Sequence, residues 1–111
     1  MSRQEIEAAL SRWRDATRRR DNATDGDRDA LDLEVRRARD AFHQLSANYM
    51  MERIDALRDA EARRTAAVPS SDPFHQAARD EKAIAAEICD SARVSDEETP
   101  EATAEDEARA S

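Results

Sequence analysis

Five aspartates, Asp21, Asp25, Asp27, Asp29 and Asp32, crowd one short stretch around Gly26, the only glycine of the chain. Carboxylates spaced about a turn glycine are the ligands of a helix–loop–helix calcium site. Asp21, Asp25, Gly26, Asp29 and Asp32 fall on slots one, five, six, nine and twelve of that pattern. The departures are chemical. Ala23 stands at slot three with no ligand oxygen, Arg28 stands at slot eight where an apolar residue is usual, and Asp32 reaches less far than a glutamate. A polar turn in which Asp25 or Asp27 caps the next helix accounts for the same residues more simply.

Arginines form the second cluster. Arg12, Arg14, Arg18, Arg19 and Arg20 precede the aspartates, and Arg36, Arg37 and Arg39 follow. If the flanking helices pair, Arg18, Arg19, Arg20, Arg36 and Arg37 make a basic band suited to phosphate or an acidic protein. Asp15 and the turn aspartates sit among them, and the acidic C-terminal stretch is available to fill the band in cis. The net charge is −8 and no nucleic-acid-binding motif is present, so nucleic acid is not the expected partner.

Catalytic chemistry finds little support. His43 and His75 are distant in sequence, and Cys89 is the only cysteine, beside Ile88 with no activating group near it. His43 borders an apolar stripe, so a partly buried structural imidazole is expected there. Neither a glycine-rich phosphate loop nor zinc-ligand spacing occurs. The expectation is a protein that is not an enzyme and takes no cofactor. Met50 and Met51 differ in kind. Methionines adapt to irregular partner surfaces, and with Ile54 and Leu57 they form the candidate contact surface for a protein partner or a second copy of the chain.

These residues need helices to place them, and the composition favours helix. Of 111 residues 40% are charged and 4% aromatic. Alanine supplies much of the apolar share, and few residues suit a strand. The first helix is expected over about 3–20, capped by Ser2, with Ile6, Ala9, Leu10, Trp13 and Thr17 on one face. The second is expected over 28–67. Leu31, Val35, Ala38, Phe42, Leu45 and Tyr49 step by four and three, a coiled-coil pattern. It then slips by one residue and resumes at Met50, Ile54 and Leu57. A short turn makes the two helices an antiparallel hairpin, setting Trp13 against Val35 and Ala38 and leaving the second half of the long helix to be covered otherwise. A third helix is expected over 73–94, with Asp72 as cap and Pro73 as first helical residue. Its stripe, Phe74, Ala77, Ala78, Glu81, Ile84, Ala85, Ile88 and Ala92, is interrupted by Glu81.

Residues 95–111 hold seven acids and one arginine. With almost no large apolar group to offset ordering entropy, this tail is expected to be disordered. The fold class is therefore all-α: one helical domain over 1–94 and an acidic tail over 95–111. No apolar run reaches the roughly 18 residues that span a bilayer, and the first ten residues carry no signal-peptide core. A cytoplasmic protein without membrane contact is expected.

Overall fold

The computed structural model describes residues 3–102 and 104. Three helices follow in order: α1 over Arg3–Asp21, α2 over Asp25–Ala66 and α3 over Asp72–Glu97. No strand occurs among the described residues, and the fold is all-α with a long second helix. The Ser2 cap lies outside the described residues.

Contacts gather into two units. The first comprises α1, α2 as far as Tyr49, and the chain from Val94 onward. Its core is Ile6, Ala9, Leu10, Trp13 and Ala16 from α1 with Val35, Phe42 and Tyr49 from α2. Ala38, Leu45 and Val94 pack against this cluster. Trp13 and Phe42 are 1% and 0% exposed. Their ring centroids lie 5.5 Å apart, tilted by 44°, a geometry worth roughly 0.5–1.5 kcal/mol beyond area burial. Ala16, rather than Thr17, completes the α1 stripe: Thr17 is half-buried and its hydroxyl donates to the Trp13 carbonyl at 2.9 Å.

The first turn is shorter than expected. Only residues 22–24 separate α1 from α2, and the Thr24 carbonyl accepts the Asp27 N–H at 3.1 Å. Thr24 thus stands at the cap position, while Asp25 and Asp27 occupy the first turn, where carboxylates face the positive end of the helix dipole. Gly26 lies inside that turn.

The second unit is Met50–Arg93, the latter half of α2 and most of α3. Val68–Ser71 joins them. Ser71 N–H donates to the Val68 carbonyl at 3.1 Å, and Ser70 takes φ 67°. Pro69 second and a left-handed residue third define a type II turn. The cap of α3 is Ser71, one residue before the expected Asp72. Phe74 N–H donates to its hydroxyl at 3.3 Å, and His75 N–H to its carbonyl at 3.0 Å. Pro73 is accordingly the second helical residue.

The expected tail is partly helix. Ser95–Glu97 continue α3, a further short helical segment follows from Pro100, and Thr99 and Ala102 are buried. Thr99 accepts the Ala102 N–H at 3.2 Å and so caps that segment. Small side chains at 99 and 102 permit close packing that the acidic composition conceals. The rest of the expected disordered tail lies outside the described residues.

Two substitutions test this account. Phe42→Ala should cost about 3–5 kcal/mol, read as a fall in the denaturant midpoint of Trp13 fluorescence. Ser71→Ala should cost about 1 kcal/mol while Ser71→Asp, which keeps a cap oxygen, costs less. Equal losses in the two variants would contradict the assigned cap.

Candidate functional site

The candidate contact residues Met50, Met51, Ile54 and Leu57 all lie in the second unit. Its helices meet along alanines: Ala60 and Ala77 are both 0% exposed. They are the only fully buried apolar side chains described in this unit. Alanine lets helix backbones approach closely but contributes little apolar area. The larger groups stay at the edges. Met50, Ile54 and Leu57 on α2, and Phe74, Ile84 and Ile88 on α3, are half-buried. Met51 is 65% exposed.

Charge pairs link the two helices. Arg64 Nε donates to Glu81 at 2.7 Å, Arg63 Nη1 to Asp80 at 3.1 Å and Arg53 Nη1 to Glu87 at 3.4 Å. Glu81, which breaks the apolar stripe of α3, is therefore the partner of Arg64. At 100° per residue, Arg53, Ala60 and Arg64 mark the side of α2 turned to α3. Leu57, Ile54 and Met51 follow in order around the helix, away from that contact. The apolar stripe thus continues past the seam between the helices onto a side that α3 does not cover. Ala92 is exposed and Ser91 half-buried in its place, so the α3 stripe runs through residue 91 toward Val94.

Asp80 and Arg63 have displaced pKa values. The Asp80 carboxyl is held below the ordinary 3.8, first by the hydrogen bond from Arg63 and then by that from Gln76. Arg63 is pushed up by Asp80 and then Asp59. Asp80 has the lower value in the folded chain, so the stabilisation is complete above the unfolded value and lost as pH falls through the folded one. That places the loss below about pH 4. Wild type should lose more thermal stability than Asp80→Asn when both go from pH 5 to pH 3; parallel acid profiles would refute the link.

The arginine band is largely neutralised in the first unit. Arg18 pairs with Asp15 at 2.8 Å, Arg19 with Glu34 at 3.2 Å, and Arg20 with Asp21 at 3.3 Å and Asp32 at 3.6 Å. Arg36 and Arg37 are exposed. A cleft of about 680 Å³ borders Trp13, Arg14, Arg18, Arg20 and Arg39, but Asp21, Glu98 and Glu101 line it too. The acidic stretch reaches this region in cis. Arg14 donates from Nε and Nη2 to the Glu98 carbonyl at 3.1 and 2.6 Å. His43 lies 3.7 Å from Glu101 and edge-on to Trp13 and Phe42; it is exposed, not partly buried. Interleaved acids leave no concentrated positive field.

The turn aspartates are not gathered into a loop. Asp21 ends α1, while Asp25, Asp27, Asp29 and Asp32 lie along the opening turns of α2. A twelve-residue ligand loop needs non-helical backbone to aim its oxygens inward, and here most of its slots are helical. Among the described residues no group of three His, Cys, Asp or Glu side chains is placed to hold a metal ion. Cys89 is exposed and His75 packs edge-on to Phe74. No described helix is long and apolar enough to cross a membrane. Compared with known proteins, the chain matches no family model, no curated protein and no solved structure.

Proposed function

We propose that this chain is a protein–protein interaction module, an adaptor or regulator working through apolar helix faces, with the second unit as its contact surface. The observation that supports this reading is the burial pattern of that unit. Two alanines are fully buried there while Met50, Ile54, Leu57, Phe74, Ile84 and Ile88 keep part of their surface in water. Large apolar side chains left partly in water on one unit are what a partner surface would cover. Binding through the arginine band is the weaker alternative, because the cations at Arg18, Arg19 and Arg20 already have carboxylate partners.

A photo-crosslinking residue at position 51 tests the reading, with position 33 as control, since Leu33 is also exposed but lies in the first unit. A discrete adduct should form from position 51 and disappear when Ile54→Glu and Leu57→Glu are added. Trp13, the only tryptophan and 1% exposed, should keep its emission in that variant, showing that the first unit survives. No adduct specific to position 51 would sink the proposal.

A further inference from the structure

We infer that the occupant of this surface is a second copy of the chain, docked antiparallel about a two-fold axis that passes beside residues 56 and 57 of α2. This rests on the interaction reading above and adds the partner and its register.

The charges flanking the face supply the argument. Asp55 and Arg58 are exposed, and neither side chain has a hydrogen bond or ion pair among the described residues. Their neighbours on α2 behave otherwise: Arg53, Arg63 and Arg64 each reach a carboxylate on α3. Relative to Ile54, Arg58 lies about 40° around the helix and Asp55 about 100°. Both are on the side turned away from Ala60. Asp55 and Arg58 therefore border the open apolar stripe, in the order acid then base, while the exposed carboxylate of Glu61, likewise without an ion pair among the described residues, lies two turns on from Ile54 and about 20° from it.

An antiparallel copy reads that order in reverse. With the axis beside residues 56 and 57, Asp55 of each chain meets Arg58 of the other. Two reciprocal ion pairs then flank Met51, Ile54 and Leu57 of both chains. Two-fold packing needs such a self-complementary patch. A parallel arrangement instead sets Asp55 against Asp55 and Arg58 against Arg58.

The overall charge of the unit agrees. Residues 50–93 hold seven basic and nine acidic groups, a net of −2, so the rim selects neither a strongly basic nor a strongly acidic partner. Extent sets the strength. Residues 50–66 rise about 25 Å, and a face two helices wide spans about 20 Å. Roughly 500 Å² per copy, or 1,000 Å² in all, is the lower bound for a specific interface. The dimer should accordingly be concentration-dependent.

The experiment is light-scattering mass on the purified full chain across a concentration series. The wild type should rise from 12.5 kDa toward twice that mass. Asp55→Arg alone and Arg58→Asp alone should each weaken association about tenfold, because each turns two attractions into repulsions. Mixing the two variants should restore the dimer as a heterodimer, and Asp55→Arg with Arg58→Asp in one chain should restore it as a homodimer. A dimer indifferent to either single reversal, or not rescued by the mixture, overturns the arrangement. A mass of one chain at every concentration overturns the second copy as partner. In that case a position-51 adduct carrying a different protein leaves the interaction reading standing, and no adduct removes both.

Discussion

Two helices side by side can bury only the stripe along which they touch. When that stripe is rich in alanine, the larger side chains must find a third surface. This constraint shapes the chain. Helix α1, with 19 residues, rises about 28 Å, whereas α2, with 42, rises about 63 Å. Along the part of α2 that α1 can reach, Trp13 and Phe42 are sealed from water, and Val94 closes on the same cluster. Along the rest, α3 is the sole neighbour within its unit. Ala60 and Ala77 disappear there while isoleucines and methionines do not. The difference in burial follows from the side chains at each seam: Trp13, Phe42 and Tyr49 fill the first, whereas alanines line the second.

Much of this was legible in the sequence. Helical spacing identified all three helices and most of the first core, because apolar steps of three and four survive whatever the helix packs against. The one-residue slip between Tyr49 and Met50 is more telling. A slip of one residue turns the stripe by about 100°, so the two stretches of α2 must face different neighbours, and the boundary between the units falls between these two residues. Cap positions were less legible. Thr24 and Ser71 hold sites expected for neighbouring aspartates, because a carboxylate one residue inside the helix benefits from the same dipole. The segment after α3 was hidden for another reason. Its acidic composition suggests solvation, yet burial there falls on Thr99 and Ala102, whose size gives no signal in a count of large apolar residues.

The candidate site was half legible. Met50, Met51, Ile54 and Leu57 stood out from α2 alone, but the opposing wall did not. Glu81 reads as an interruption until Arg64 is seen opposite it, and residues 64 and 81 become partners only once the chain is known to reverse near Ser71. Arginines misled in the other direction. Grouped by sequence they form a cationic band, yet Glu34 and Asp32 come across from α2 to neutralise Arg19 and Arg20. Charge patterning along one helix cannot register a counter-charge delivered by the next.

The contact between Arg14 and Glu98 joins residues 84 positions apart. Closing a flexible loop of that length costs about 4 kcal/mol in chain entropy, more than an exposed arginine contact returns. Contacts between α1 and early α2, and between late α2 and α3, join nearer positions and cost less closure entropy. Once the type II turn at Val68–Ser71 has folded α3 back along α2, little loop remains to be closed when the C-terminal segment meets α1. The unit with the poorest core is thus the insertion across which the better-packed one must close.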